Sequence, residues 1–412
     1  MAEEQTVSYG NPTLRFTHRT ARVTVVLTDY TEERMFVRLT GLSTENGNPA
    51  QITPYNKGGD TYTALVAPQS VATGTAFITC KFTNGKVFVY KMKNDTDWQA
   101  GKEYTYTVSL AAAKDPGYTV SEDGKTYTVT SADGLLAWNE AVQKDMTLNC
   151  TLADNIDLTG KDWTPIGTSF GNSYTGTFDG NGKTITGLTV TGSDRYTGLF
   201  GFIKGTVKNV VLTEINITSG TFVGGVAGWS FGGNIENCSV SGSVSGSDVG
   251  GVVGYQQGGS ITGCSSSATV KGTQRAGGVA GTTNSGATLT ACYATGDVTV
   301  ENDGTSNAWA GGVVGSNAYS TVIACYAAGN VSGTGSGTIH VGGVTGENFD
   351  GTLTACYWSG LPDNDNGGAT KVDGTTVTWQ TAVAAMNAAL SGKGWQYELK
   401  DGNSLPTLKK EQ

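Results

Sequence analysis

The stretch "VGGVAGWS" at residues 223–230 returns almost unchanged four more times, as "VGGVVGYQ" at 249–256, "AGGVAGTT" at 276–283, "AGGVVGSN" at 310–317 and "VGGVTGEN" at 341–348. A looser copy, "TGLFGFIK", precedes them at 197–204. Measured between second glycines (Gly225, Gly251, Gly278, Gly312, Gly343), the steps are 26, 27, 34 and 31 residues. Periods of this size are the mark of stacked coils, in which each repeat buries its apolar side only against its neighbours.

A second ladder runs through the same coils: "NIENCSV", "SITGCSS", "TLTACYA", "TVIACYA" and "TLTACYW". It aligns Cys238, Cys264, Cys292, Cys325 and Cys356, with Val210 in the same slot one coil earlier. An Ile, Leu or Val stands three residues before each cysteine, and Val244, Val270, Val298 and Val331 stand six residues after the first four. Strand side chains alternate between faces, so the cysteines point inward and their successors outward, with like residues about 4.8 Å apart along the axis. The apolar residue after each glycine pair (Leu199, Val226, Val252, Val279, Val313, Val344) enters a narrow core. The glycines would supply bends, left-handed backbone angles and close approach of the next coil. The pattern specifies a parallel β-helix.

The rest of the chain frames this solenoid. Residues 1 to about 112 hold short runs rich in Val, Thr, Phe and Tyr, including "LRFTHRTARVTVVLTD", "GTAFITCKFTNGKVFVYKMK" and "GKEYTYTVSL". Such runs favour half-buried pleated surfaces, and Asn84-Gly85 between two of them predicts a tight hairpin. A β-sandwich of immunoglobulin or transthyretin type follows. "AAAKDPG" at 111–117 marks the boundary, so the sandwich occupies 1–112 and the β-helix 113–412. Ser131 is placed to cap a helix over about 131–144, with Leu135, Trp138 and Val142 on one face, and Thr378 a second over about 378–391, with Val383, Met386 and Leu390 on one face and Gly392 beyond. These two amphipathic helices are expected to cover the solenoid's open first and last coils.

With 26 basic against 35 acidic residues, a net charge of −9 and no Lys/Arg cluster, the chain lacks the positive footprint that nucleic acid requires. Only 15% of residues are charged, and Ser, Thr, Asn and Gly carry most of the polarity. That balance suits an extracellular β protein. No apolar run approaches the roughly eighteen residues of a membrane-spanning helix. The opening "MAEEQTVSYG" has neither an apolar export segment nor an anchoring cysteine, so an export signal is expected to have been removed.

The G-[LV]-x-G repeats, with "WTPIG" and "YTGTFDGNGKTITGLTV" before them, resemble the GLUG-repeat family of bacterial surface proteins over about 120–360. That resemblance implies a right-handed β-helix. Residues 10–110, through "LRFTHRTARVTVVL", "ALVAPQ" and "WQAGKEYTYTVSL", resemble one domain of the fimbrillin-like proteins of Bacteroidales. This implies export to the cell surface, with a lipid anchor upstream of Met1. The family commonly has two sandwiches where this chain shows one, and no lipidated cysteine is present, which argues against incorporation into a pilus by strand exchange.

The chemistry-bearing residues are sparse. Five cysteines share one inward slot at a spacing too long for the roughly 3.8 Å Cβ separation of a disulfide, so they read as a ladder of buried thiols. No CxxC or Cys/His pairing suggests a metal, and no cofactor is expected. From 221 to 360 the acids are Glu236, Asp248, Asp297, Glu301, Asp303, Glu347 and Asp350, and the bases Lys271 and Arg275. They share no repeat position, whereas glycoside hydrolysis needs paired carboxylates. His18 and His340 are the only histidines. "FDGNGK" at 178–183 and "PDNDNGG" at 362–368, with Asp363 and Asp365, read as turns before cation loops. Aromatics offer the candidate binding positions: Tyr293, Tyr326 and Tyr357 each follow an inward cysteine, and Trp229 and Tyr255 follow consecutive glycine motifs. The same stacking also serves simply to stiffen a sheet face. The expectation is a non-enzymatic bacterial adhesin that binds a glycan or a surface protein through the β-helix faces. A polysaccharide-degrading β-helix enzyme is the alternative, and a structural spacer the third reading.

Overall fold

A computed structural model describes residues 19–30, 35–82, 87–110, 117–192, 194–218, 220–302, 304, 306–401 and 404–411. Asn84-Gly85, His18, Asp303 and most of "AAAKDPG" lie outside the described residues. The chain forms two compact units, Met1–Thr119 and Val120–Gln412.

In the first unit, Ala21–Thr28 lies between Thr61–Val66, antiparallel, and Glu103–Ser109, parallel, with Tyr55–Gly58 at the sheet's edge. A second sheet is formed by Met35–Leu39, Ala76–Phe82 and Val87–Lys91. Alternation decides what is buried: Val23, Val25 and Leu27 from one sheet meet Val37, Leu39, Ile78 and Phe82 from the other. Trp98 is buried in this core, and its Nε1 donates to the Tyr106 hydroxyl at 2.8 Å.

The second unit is a β-solenoid of about seven turns over residues 150–358. The coils stack their parallel strands into three faces. A short strand such as Thr288–Thr290 belongs to a ten-stranded first face, a longer run such as Thr269–Gly277 to a seventeen-stranded second face, and Val253–Gln257 to a six-stranded third face. The two ladders of the sequence fall into register. Ser265 N, Tyr293 N, Tyr326 N and Tyr357 N donate at 2.9–3.1 Å to the carbonyls of Cys238, Cys264, Cys292 and Cys325, one coil earlier. Val226, Val252, Val279 and Val313 bond in the same way to their counterparts one coil later, each at 2.9 Å, and all are buried.

The repeat glycines act through space, not through backbone angle. None of Gly225, Gly251, Gly278 or Gly312 has a positive φ, contrary to the expected left-handed angles. A β-carbon on Gly251, Gly278 or Gly312 would lie 2.2–2.3 Å from the carbonyl oxygen of the next coil's glycine. The left-handed positions stand instead just before the cysteine slot: Asn209, Asn237, Gly263, Ala291, Ala324 and Ala355, with φ between +50° and +66°. Asn237 Nδ2 donates to Asn209 Oδ1 at 2.8 Å, and Asn209 Nδ2 to Asp179 Oδ1 at 2.9 Å, making a short amide ladder. Asparagine adopts this conformation at less cost than alanine, so the change from Asn to Ala along the ladder requires another cause.

The first helix, α1 (Ala132–Val142), is capped by Ser131 as expected, its Oγ accepting from Gly134 N at 3.1 Å. Trp138 on its buried face stands 5.2–6.4 Å from Phe178, Tyr174 and Phe200, closing the open first coils with aromatic rings. The second helix, α2 (Trp379–Ala389), also forms, with Thr378 and Thr381 in a reciprocal capping box. What it covers differs from expectation. It lies along the solenoid's flank against Ala291, Ala324 and Tyr326, not across the last coil. The edge of the last coil is met by the loop around Asp365, whose Oδ1 accepts from Val344 N and Thr345 N at 2.7 Å and whose Oδ2 accepts from Gly367 N and Ala369 N. Asn366 Nδ2 reaches the Gly346 carbonyl at 2.6 Å. In "PDNDNGG" the side chains therefore supply the bonds a further coil would have made.

Candidate functional site

The tyrosine ladder forms as predicted and is then covered. Tyr293 and Tyr326 stack with centroids 4.9 Å apart and planes 3° from parallel. Tyr357 follows in register. A C-terminal strap, comprising α2 and the antiparallel pair Trp395–Glu398 and Thr407–Lys410, folds back over them. Tyr326 is 1% exposed, and its hydroxyl donates to the Pro406 carbonyl at 2.6 Å. Tyr397 is also buried and donates to Ala324 O at 2.9 Å. The strap explains the corner alanines: Ala291 and Ala324 are fully buried beneath it. Tyr326 is thus closed to a ligand in this arrangement, while Tyr293 and Tyr357 stay half-buried at the strap's margin.

Trp229 and Tyr255 stand elsewhere, on the third face. Phe202, Trp229 and Tyr255 occupy successive coils in register, with Trp229 and Tyr255 4.2 Å apart and 24° from parallel. A parallel rank at the end of the second face reads Tyr196, Phe222, Asp248, Arg275, Trp309, His340. The ranks interlock, with Phe222 4.6 Å from Trp229 and Tyr196 5.3 Å from Phe202. At one end Phe231 and Phe170, 36% and 57% exposed, meet edge-to-face at 5.0 Å, and Lys204 Nζ lies 3.5 Å from the Phe170 ring centroid. The result is an aromatic ridge whose interior rings are fixed by packing and whose exposed end carries Phe170, Phe231 and a cation.

The acids of the repeats are dispersed among separate partners. Glu236 pairs with Lys410 at 2.9 Å, Asp248 with Arg275 at 3.1 Å, and Glu347 accepts from Ser316 Oγ at 2.5 Å. Asp297 accepts from Asn330 N at 3.0 Å. Burial raises the Asp248 carboxyl above its usual range against the opposing pull of Arg275. Arg275 also lies 5.2 Å from the Trp309 ring, on which the exposed His340 stacks at 6.0 Å. In "FDGNGK", Asp179 pairs with Lys208 at 3.3 Å and accepts from Asn181 N. All seven cysteines are free and buried. Each ladder thiol donates to the carbonyl two residues before it, as Cys292 does to Thr290 at 3.3 Å. Burial pushes the Cys264 and Cys325 thiols up. Among the described residues no three His, Cys, Asp or Glu side chains gather as a metal site.

Comparison with known proteins agrees with this anatomy. Residues 1–126 match the fimbrillin-like family model, and residues 219–245 and 245–271 match the GLUG motif. Over 108 residues the chain is 36% identical to Halomucin of Haloquadratum walsbyi, a stretch that makes up 23% of this chain and 1% of that protein. A solved structure from Bacteroides ovatus, described as that of a candidate immunoglobulin A1 protease, superposes with a TM-score of 0.55 at 20% identity, covering 70% of this chain and 93% of that one. A second structure, described as IgA1 Protease, gives a TM-score of 0.44 at 17% identity, covering 84% of this chain and 28% of that one. The Bacteroides ovatus likeness is one of fold.

Proposed function

We propose that this chain is a non-enzymatic, surface-displayed binding protein, an adhesin that engages a glycan or a surface protein through the aromatic ridge of its solenoid. One observation carries the reading: the ridge runs without interruption through Phe202, Trp229 and Tyr255 and ends in the exposed pair Phe170 and Phe231. Exposed aromatic surface of this kind is costly to leave in water and marks interaction sites. Rings already fixed by their neighbours lose little freedom on contact. The fimbrillin-like and GLUG matches support display at a bacterial surface. The dispersal of the acids supports binding over cleavage, since catalysis at a sugar needs carboxylates held across one bond. Many weak contacts on a crowded surface then multiply into firm attachment.

The test is a screen of immobilised glycans and host-surface proteins with the intact protein and a Phe170→Ala, Phe231→Ala variant. Binding that drops with the variant supports the ridge. Unchanged binding moves contact to another face. Release of reducing ends or unsaturated oligosaccharides, or cleavage of immunoglobulin A1, abolished by one carboxylate substitution would overturn the non-enzymatic reading.

A further inference from the structure

Where the strap crosses the first face, it does not seal against it. A cleft of about 350 Å³ remains between the two, lined by Thr206, Asn234, Ser260 and Thr262 on one side and Lys393, Trp395 and Lys410 on the other, with Glu236 at the wall. That volume is at the lower end of the range for small-ligand sites. The solenoid wall is an ordered array: Thr206, Asn234 and Ser260 are partners on successive coils, and Glu236 and Thr262 form the adjoining rank. Ser260 Oγ already donates to Asn234 Oδ1 at 2.8 Å, which orients that amide. The array thus offers hydroxyl and amide groups at the regular spacing of stacked strands.

The strap wall is built for this position. Trp395 lies over Gly263, where a β-carbon would come within 2.2 Å of its ring, so the repeat has given up both the asparagine of the previous coil and the alanine of the next to admit the indole. The Trp395 ring is buried, and Lys410 Nζ lies 5.5 Å from its centroid. Charge is also uneven. Lys410 is matched by Glu236, but Lys393 is exposed and has no ion-pair partner among the described residues. Lys393 thus sets a cation beside this rank of hydroxyls within one cleft.

We infer that this cleft is a binding site for an acidic saccharide, a uronic or sialic acid unit whose carboxylate meets Lys393 and whose hydroxyls meet the Thr206, Asn234, Ser260 and Thr262 array. The cation selects the carboxylate and the array selects a polyol, the two features that together distinguish an acidic sugar from a simple anion or a neutral sugar. This deepens the adhesin reading by naming a ligand class, and it rests on that reading only in taking glycans as the ligands. The cleft shares no lining residue with the ridge.

The experiment is calorimetric titration and saturation-transfer NMR on the whole chain with digalacturonic acid and sialyllactose, using lactose and inorganic phosphate as controls. The expected result is saturable binding of one acidic saccharide and little binding of either control. Lys393→Ala should weaken it about tenfold, as loss of one charge-assisted contact does. Thr262→Val should weaken it less. Both positions are on the surface, and a thermal melt confirms that each variant keeps its fold. No binding of either acid, equal binding of lactose, equal binding of phosphate, or affinity indifferent to Lys393→Ala each overturns the inference. The Phe170→Ala, Phe231→Ala variant should bind these acids normally, so failure of the ridge and failure of the cleft are read separately.

Discussion

The indole of Trp395 occupies the space that a side chain on Gly263 would need, although the two residues lie far apart in the chain. A β-carbon at Gly263 would sit 2.2 Å from one ring carbon and 2.4 Å from the next, at a φ of +66°. Gly263→Ala should therefore cost about 1–3 kcal/mol through left-handed strain and displacement of the ring. Urea unfolding would measure the loss, and hydrogen exchange should place the loosening at Trp395–Glu398. An unchanged midpoint would mean that the strap does not depend on this contact.

The end of the solenoid makes a different demand. Asp365→Ala would remove the acceptor from two backbone N–H groups of the last coil and two of its own loop. A loss of about 1–3 kcal/mol is expected, together with concentration-dependent association through the freed edge. Light scattering and thermal melts check both. Deleting residues 377–411 should act otherwise, baring Ala291, Ala324 and Tyr326 along the flank and binding hydrophobic dye there.

Two aspartates beside the helices set an acid limit. Hydrogen bonds from Thr147 and Lys125 hold the Asp145 carboxyl at about 2, and backbone N–H groups of Thr375 and Val377 hold that of Asp373 at about 2, both below the usual 3.8. A carboxyl with a folded value below its unfolded one stabilises the fold fully above the unfolded value and loses that contribution as pH falls through the folded one. Melting temperature should thus fall as pH drops from about 4 toward 2. Asp373→Ala should reduce both stability at neutral pH and the steepness of that fall.

The cysteine ladder should be silent to reagents in the native protein. All seven thiols are buried and free, and burial pushes the Cys80 thiol up to about 12. Thiol titration should find few groups before denaturation and all seven after it, without reductant. Cys292→Ala should cost about 1 kcal/mol through a small cavity, and Cys292→Ser more, by burying a hydroxyl. Peptides linked between coils by mass spectrometry would contradict the ladder.

The fold was legible because one constraint repeats. Each coil must bury the same valine and cysteine, so Val252 and Cys264 announce what Val279 and Cys292 confirm. The α1 cap could be read as well, since Ser131 and Trp138 obey local rules. The strap could not. Its helix showed in the sequence, but the surface it covers is set by contacts as distant as Tyr397 with Ala324, which leave no local period. One trace was present: the corner residue changes from Asn237 to Gly263 and then to Ala291, Ala324 and Ala355. Exposed left-handed corners favour asparagine, and only a covering element favours alanine there. The repeat glycines misled for a related reason. Glycine permits both unusual angles and close approach, and only the backbone shows that Gly278 serves the second.

Lys410 reaches back to Glu236, 174 residues earlier, and this alters how the solenoid would carry tension. A pull applied at the end of the strap enters through its hairpin near the coils of Glu236 and Gly263, not through the last coil at Cys356. The intervening coils form a closed loop that stays slack while the strap holds. They are loaded only after Trp395 and Tyr397 have been peeled from the flank. A chain wired in this way would keep its later coils in reserve, to be paid out one by one under load.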